Sequence, residues 1–236
     1  MSEVVISVKN LSVAYDSLRV LEGLNFDIAN GEFVAIVGKS GTGKTTLLNS
    51  LAGFIKHNGN IKITESIGFC FQNHSLFYWM TVSENIAFGL DNMSNIEKES
   101  IVNNILKKID LAEYGKKYPK ELSGGQMQRV ALGRAIANNP KVLLLDEPFS
   151  SLDIYTRDQM MEWLLKIISE LNITVLMVTH YLDEALFLAD RVFVLKEKNI
   201  SDEILVPFAK PRIQSIRFTE QFQKSKLKLA TLLNNN

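Results

Sequence analysis

The feature that most constrains this chain is the stretch Gly38-Lys39-Ser40-Gly41-Thr42-Gly43-Lys44-Thr45, which has the form G-x-x-x-x-G-K-[ST]. It follows the apolar run Phe33–Val37, which predicts a buried strand, and it precedes residues 46–52, which predict the opening of a helix. In this context the glycines let successive backbone N–H groups turn toward an anion, and the helix N-terminus adds partial positive charge. Lys44 can then reach the β- and γ-phosphates of a nucleotide, and the Thr45 hydroxyl can ligate Mg²⁺. A glycine turn without a ligand is the alternative, and it is less favoured because the motif and its context are both complete.

The composition limits the class of protein. A length of 236 residues allows one large domain, and a hydrophobic content of 46% is enough for a full core. Lys+Arg and Asp+Glu both number 26, and this zero net charge argues weakly against a dedicated nucleic-acid binder. The single cysteine, Cys70, cannot form an intrachain disulfide, fits a reducing cytoplasm and is predicted to be core packing. The N-terminus lacks the regions of a signal peptide, and no apolar run reaches the length of a membrane span.

The apolar pattern predicts an α/β fold. The front of the chain is rich in predicted strands, and the continuous apolar runs at 141–145 and 173–178 predict strands of a sheet that is buried on both faces. Residues 192–195 are predicted to form the last strand. Between residues 82 and 138 helical spacing predominates, with no convincing strand. We therefore predict a P-loop NTPase core with a mainly parallel sheet, an antiparallel β subdomain and an inserted helical subdomain.

These elements predict how the chain is divided. We expect a single domain over residues 1–236, in which residues 1–73 and 139–206 form the nucleotide-binding core with its β subdomain, residues 74–138 form the helical subdomain, and residues 207–236 form a C-terminal tail. The tail carries a basic amphipathic stretch at 218–233.

Asp146 and Glu147 supply the second half of the predicted nucleotide site. They end the apolar run that begins at Val142, so Asp146 lies at the carboxyl end of a predicted buried strand. A carboxylate in that place can hold the Mg²⁺ of a nucleotide, usually through water. Glu147 follows at once and can polarise an attacking water. The alternative is an ordinary strand followed by an acidic turn, which the phosphate loop earlier in the chain makes less favoured.

A second glycine-containing turn, Leu122-Ser123-Gly124-Gly125-Gln126, lies at the predicted start of a helix. It is therefore another helix N-terminus suited to an anion. Since the first site already takes one ATP, a second such turn suggests that it contacts a phosphate bound by another copy. With this stretch the chain resembles the ATP-binding subunit of an ABC transporter, whose signature motif it matches without a change.

The resemblance runs from about Val4 to Leu195 and implies a role for each matching position. It implies that Tyr15 stacks on adenine, that Gln72 ligates Mg²⁺ and senses the γ-phosphate, and that His180 contacts the γ-phosphate. The implied ATP contacts are Tyr15, Gly38, Lys39, Ser40, Gly41, Thr42, Gly43, Lys44, Thr45, Thr46 and Gln72 of one copy, and Ser123, Gly124, Gly125 and Gln126 of the other. The implied Mg²⁺ ligands are Thr45, Gln72 and Asp146, the catalytic residues are Glu147 and His180, and the dimer-interface loop is Ser151, Leu152 and Asp153. Plainer alternatives are a half-buried aromatic for Tyr15, a surface amide for Gln72 and a structural histidine for His180.

The resemblance also implies partners. Two copies would pair head to tail with two-fold symmetry, and a transmembrane permease subunit would dock between Asn73 and Val82. The alternative for the large side chains of that segment is the core of the helical subdomain. The segment resembles the importer group for nitrate, sulfonate, taurine and related solutes, which includes relatives that handle thiamine or pyrimidine precursors. That group commonly has proline where Tyr78 stands and aspartate where Tyr181 stands.

We therefore expect the ATP-hydrolysing subunit of an ABC importer, peripheral on the cytoplasmic face of the cell membrane. ATP and Mg²⁺ are the expected cofactors, a solute-binding protein is an indirect partner, and no nucleic acid is expected. The alternative is a soluble ABC-type ATPase of DNA repair or translation; the repair proteins carry a long coiled coil, of which the sequence has no heptad run, and the translation factors usually hold two ATPase domains. An exporter half would normally be fused to a membrane domain. A non-enzymatic nucleotide-binding module is less favoured because Glu147 and His180 are intact.

Overall fold

The computed structural model describes residues 3–234. The strands are β1 Val4–Tyr15, β2 Leu18–Ala29, β3 Phe33–Val37, β4 Asn58–Ile63, β5 Ile67–Cys70, β6 Val142–Asp146, β7 Thr174–Thr179, β8 Arg191–Lys196 and β9 Asn199–Leu205. The helices are α1 Lys44–Leu51, α2 Val82–Ala87, α3 Asn95–Lys108, α4 Gly124–Ile136, α5 Ile154–Leu171, α6 Leu182–Leu188 and α7 Glu220–Asn234, with short 3₁₀ turns at Ala112–Tyr114, Pro119–Glu121 and Gln214–Phe218.

Two sheets organise the fold. One is antiparallel, in the order β2-β1-β4, and the other has six strands in the order β5-β6-β7-β3-β8-β9. The larger sheet is parallel from β5 to β8, and β9 pairs antiparallel with β8. This arrangement agrees with the predicted α/β fold with its parallel core and separate antiparallel element.

Residues 192–195 were predicted to form the last strand of the chain. That prediction was wrong, because a further strand, β9, follows β8 in a hairpin. The turn contains Glu197 and Lys198, both in the left-handed region, with φ of 48° and 70°. Since glycine or asparagine usually marks such a turn, its sequence signal was weak. The strand itself is an edge strand with mostly exposed polar residues, so it lacks the apolar run that identified its neighbours.

The inner strands of the large sheet are apolar at every position because both of their faces are covered. In β3, Phe33 and Ala35 pack in one core cluster, with α4 to α7 on that side, while Val34 and Ile36 pack in the other, with the antiparallel sheet and α1. Cys70 is buried in the first cluster, as predicted, and burial raises the pKa of its thiol to about 12.

Residues 82–136 contain helices joined by loops and 3₁₀ turns, with no strand between them, as the helical spacing predicted. Capping boxes begin the three α-helices of this range: Thr81 with Glu84 opens α2, Ser94 with Glu97 opens α3, and Ser123 with Gln126 opens α4. No helix among residues 3–234 combines the length and the apolar character that crossing a membrane requires.

The parallel sheet places the site residues together. β3 leads into Gly38, β5 is followed by Gln72, β6 ends at Asp146, and β7 is followed by His180. Because these strands run in the same direction, their carboxyl ends meet at one edge of the sheet, where ligands bind in open α/β folds. Four segments that are far apart in sequence therefore converge on one place.

Candidate nucleotide site

The loop between β3 and α1 needs glycine at two positions for different reasons. A Cβ at Gly38 would lie 2.7 Å from the Leu195 carbonyl oxygen, because the backbone of β8 passes close to the loop. Gly43 has a φ of 99°, and a Cβ there would lie 2.9 Å from Val20 and Leu21. The motif glycines thus let the loop fit between β8 and the antiparallel sheet just before α1 begins.

The Lys44 ammonium lies at the centre of this loop. Its Nζ donates to the carbonyl oxygens of Gly38 at 2.9 Å and Lys39 at 3.2 Å, and it lies 3.6 Å from Glu147 Oε1. The side chain is buried. A lysine has three donors, so two hold the loop and the third remains for another acceptor.

Thr45 and Asp146 bring two oxygen ligands together. Thr45 Oγ1 donates to Asp146 Oδ1 at 3.1 Å. Burial raises the pKa of Asp146, and the hydrogen bond from Thr45 opposes that shift. A hydroxyl and a carboxylate at this spacing are hard oxygen donors of the kind that Mg²⁺ prefers, so the residues present fit the ion.

Glu147 is held by groups from three other segments. His180 Nδ1 lies 2.8 Å from Glu147 Oε2, and Gln72 Nε2 donates to the same oxygen at 3.4 Å. Together with Lys44 these contacts surround a carboxylate whose side chain is only 12% exposed. Glu147 itself has a φ of 43°, and its backbone N–H donates to the carbonyl oxygen of Val178. This uncommon conformation for a non-glycine residue turns the chain sharply after β6, beside the phosphate loop.

An open pocket of about 320 Å³ lies over these groups. Its lining residues are Val20, Ser40, Gly41, Gly43, Lys44, Thr45, Thr46, Gln72 and Glu147. Tyr15 does not line this pocket; it is half exposed at the end of β1, next to the turn into β2. Val20 was missed by the sequence analysis, since nothing in its local sequence marks an apolar strand residue as part of a site.

The Ser123–Gln126 turn is built as a helix cap. Ser123 Oγ accepts from the Gln126 backbone N–H at 3.3 Å, and the Gln126 side chain accepts from the Ser123 N–H at 2.9 Å. A Cβ at Gly125 would lie 2.7 Å from the Thr156 methyl group, so the turn packs against the start of α5. None of these residues lines the pocket over the phosphate loop.

The Ser151–Asp153 loop lies beside that turn. Leu152 is the nearest neighbour to a Cβ placed at Gly124, at 3.7 Å, and Asp153 Oδ1 caps α5 by accepting from the Thr156 N–H. Hydrogen bonds from the Thr156 side chain and backbone lower the pKa of Asp153. Ser151 Oγ lies 3.5 Å from His74 Nε2, so the loop also touches the segment after Gln72.

The comparison with protein families identifies the chain. Residues 21–150, more than half of the chain, match the model of the family described as "ABC transporter". The chain belongs to the ABC transporter family. It is an ATP-binding subunit of that family, an ATPase coupled to transport.

Two curated relatives of this ABC ATPase cover most of its length. One, from Chlorella vulgaris, is named "Probable sulfate/thiosulfate import ATP-binding protein CysA"; it is 42% identical over 209 residues, which are 83% of this chain and 89% of that protein. The other, the "Bicarbonate transport ATP-binding protein CmpD" of Synechococcus elongatus, is 40% identical over 225 residues, or 87% of this chain and 81% of that protein. The predicted resemblance to importer ATP-binding subunits is confirmed, and the alternative in DNA repair or translation is not favoured.

Two solved structures share the fold of this ABC ATPase. The ATP-binding cassette MJ0796, in a dimeric post-hydrolysis state bound to ADP and Pi, has a TM-score of 0.77 and 32% identity, covering 86% of this chain and all of that one. The cbiO1 protein from Clostridium perfringens, described as part of the ABC transporter complex cbiONQ, has a TM-score of 0.81 and 31% identity, covering 98% of both chains. These likenesses confirm the predicted P-loop NTPase fold.

Proposed function

We propose that this ABC ATPase drives uptake of a small solute by pairing with a second copy of itself around ATP. The observation that carries the proposal is the position of the Ser123–Gln126 turn, which contributes no residue to the pocket over the phosphate loop. In a head-to-tail pair, Ser123 to Gln126 of one copy would complete the site of the other, and Ser151, Leu152 and Asp153 would cross the interface. The dimeric solved state of the similar cassette MJ0796, bound to ADP and Pi, supports the pairing of two copies.

Within each site the side chains have complementary roles in hydrolysis. Lys44 and the loop N–H groups would hold the phosphates, Thr45, Asp146 and Gln72 would hold Mg²⁺, and Tyr15 would stack on adenine. Glu147 would accept a proton from the attacking water, for which its hydrogen-bonded position beside His180 is suited. His180 would also place a donor near the γ-phosphate oxygens, where charge develops. Mg²⁺, when bound, would neutralise phosphate charge.

The membrane partner would dock on the segment from Asn73 to Val82. Asn85, which is fully buried, holds this segment by accepting from the Phe77 N–H and donating to the carbonyl oxygens of Phe77, Met80 and Thr81. The rings of Phe77, Trp79 and Phe88 pack together, while Trp79 remains 72% exposed. A fixed loop that presents large aromatic rings to solvent is typical of a protein interface. The chain would thereby be peripheral to the membrane, on its cytoplasmic face.

The solute would be a small anion or a related compound. The nitrate, sulfonate, taurine or thiamine-precursor type was expected from the segment around Trp79, and the relatives named for sulfate/thiosulfate and bicarbonate support a small oxyanion among these. Copurification of the membrane subunit and reconstitution with its solute-binding protein would allow solutes to be compared by their stimulation of ATP hydrolysis. Stimulation only by an uncharged solute would contradict the anion assignment.

A mixing experiment tests whether the ATP sites are shared between copies. Lys44→Ala damages the phosphate loop and Ser123→Arg damages the opposing turn, so each variant alone has two defective sites. In an equal mixture, random pairing makes about half of the dimers mixed, and each mixed dimer has one intact site of its two. About a quarter of all sites are then intact, so the mixture should recover about a quarter of the wild-type ATPase activity. A mixture that is no more active than the average of the separate variants would contradict sites shared between copies.

A further inference from the structure

Arg157, which the proposed chemistry does not use, lies between the dimer-interface loop and the segment that carries His180. It ends the first turn of α5, directly after that loop, and its backbone N–H donates to the Asp153 carbonyl oxygen at 2.9 Å. Its Nη2 donates to the Leu152 carbonyl oxygen at 3.0 Å. The guanidinium therefore holds the backbone of the loop at Leu152.

The same guanidinium contacts the segment around His180. It lies over the Tyr181 ring, 4.2 Å from the centroid, and its Nε is 3.7 Å from Glu184 Oε1. The Tyr181 ring in turn packs against the His180 ring, with centroids 4.0 Å apart. Tyr181 therefore lies between the guanidinium and the histidine ring, and a cation over an aromatic face is an attractive contact.

Glu184 connects Arg157 to the backbone on both sides of His180. Its Oε2 accepts from Thr179 Oγ1 at 2.6 Å, and the same hydroxyl accepts from the Tyr181 N–H at 3.0 Å. Thr179 and Glu184 are both buried. His180, which touches Glu147, thus lies between two residues whose positions depend on the Glu184 carboxylate.

The contact between Arg157 and Glu184 has room to tighten. Among the described residues, neither Arg157 Nε nor Glu184 Oε1 has a hydrogen-bond partner, although both atoms are buried. Their separation of 3.7 Å exceeds the usual range of a hydrogen bond, and a movement of roughly 0.5–1 Å would close it. A buried N–H donor and a buried carboxyl oxygen that both lack partners favour such a closure.

We propose that Arg157 is a positioning residue that transmits the position of the dimer-interface loop to His180, through Glu184 and Tyr181. A displacement of Leu152 on pairing moves the guanidinium, closes its contact with Glu184, and fixes the Thr179–Tyr181 backbone that carries the histidine. Hydrolysis in one site thereby depends on the interface as well as on the presence of ATP. The inference rests on the proposed function, because it takes from there the roles of the loop and of His180.

The test compares Arg157→Met with a matched control, Arg129→Met, in the full chain. Arg129 likewise donates to a backbone carbonyl oxygen, that of Ile109, pairs with a carboxylate, Asp110, and lies over an aromatic ring, Trp163, yet these contacts involve neither the loop nor the segment around His180. Arg157→Met should lower kcat about tenfold, as expected for a residue that acts through others, and leave the KM for ATP within about twofold. Arg129→Met should leave kcat unchanged at a comparable loss of Tm. Equal kcat losses in the two variants would overturn the proposal and leave Arg157 a merely structural residue.

Glu184→Gln is a second variant that tests the same connection, and its nearly unchanged shape avoids a large loss of folding stability. The amide can still accept from Thr179 but presents a donor or a neutral oxygen to Arg157, so it breaks only one side of the connection. Its kcat loss should match that of Arg157→Met, and the double variant should lose no more than either single one. Additive losses would show that the two residues act independently and would overturn the proposal.

A separate measurement distinguishes this failure from failure of the proposed function. If the Glu147→Gln chain forms no dimer with ATP, the proposed pairing is wrong. If that dimer forms and the Arg157 and Glu184 variants still show the control behaviour, only the connection through Arg157 is wrong.

Discussion

Replacement of Lys44 by alanine has an effect whose size can be worked out from the contacts in the loop. Two of the three ammonium donors are used by the carbonyl oxygens of Gly38 and Lys39, which leaves one donor for a phosphate oxygen. One hydrogen bond between charged partners contributes about 1.5–3 kcal/mol, which corresponds to a loss of roughly 10- to 150-fold in affinity. The loss should lie toward the upper end, because Glu147, 3.6 Å from Nζ, would remain as an uncompensated negative charge beside the phosphates.

Titration calorimetry with a non-hydrolysable ATP analogue and Mg²⁺ measures this loss without interference from turnover. Lys56→Ala is the control, since Lys56 is an exposed lysine outside the lining of the pocket. Its affinity should equal that of the unchanged chain, and thermal unfolding should show that both variants are folded. A Kd for Lys44→Ala within about threefold of the unchanged chain would refute the assignment of the third donor to a phosphate.

Other perturbations test the remaining parts of the structure. Glu147→Gln should lower kcat by roughly 10²–10⁴-fold, the range for loss of a general base, while ATP still binds; wild-type turnover would remove Glu147 from that role. Trp79→Ala should weaken association with the membrane subunit in a pull-down but leave ATP affinity intact, and undiminished association would move the docking surface elsewhere. Phe222→Ala, which empties a fully buried position in α7, should cost about 3–5 kcal/mol in urea unfolding; a loss below about 1 kcal/mol would show that the tail is not part of the core. Burial raises the pKa of Glu184 from its usual 4.5 to about 7, so the folded state keeps a proton that the unfolded state releases; the unfolding free energy should therefore fall as pH rises through this window, and Glu184→Gln should flatten that fall.

Much of the fold could be predicted from the sequence, because the local sequence pattern matches the environment that each strand has in the folded chain. The apolar runs of β3, β6 and β7 have no polar alternation, and a sheet covered on both faces is the environment that such runs require. The hairpin strand β9 was missed for the same reason: it lies at an exposed edge, where burial imposes no apolar pattern.

The candidate site divides in a similar way. Gly38 to Thr45 and Asp146 could be proposed as site residues from the sequence, because backbone conformation and the chemistry of phosphate and Mg²⁺ restrict which residues can stand there. Val20, Arg157 and Glu184 could not, because an apolar strand residue, a helix arginine and a helix glutamate are ordinary in their local sequence. Their importance depends on which side chains the folded chain places within a few ångströms of them.

The sequence by itself determined that a glycine-rich loop lies between a strand and a helix, and it predicted that this loop holds a nucleotide phosphate. That motif works through neighbouring backbone groups, so local sequence is sufficient to specify it. Only the tertiary structure decided that Gln72, Glu147 and His180 meet above the loop, and that the Ser123–Gln126 turn contributes no residue to the same pocket. Both observations follow from the order of the parallel strands. That order determines which strand ends lie next to the phosphate loop and which helices begin away from it.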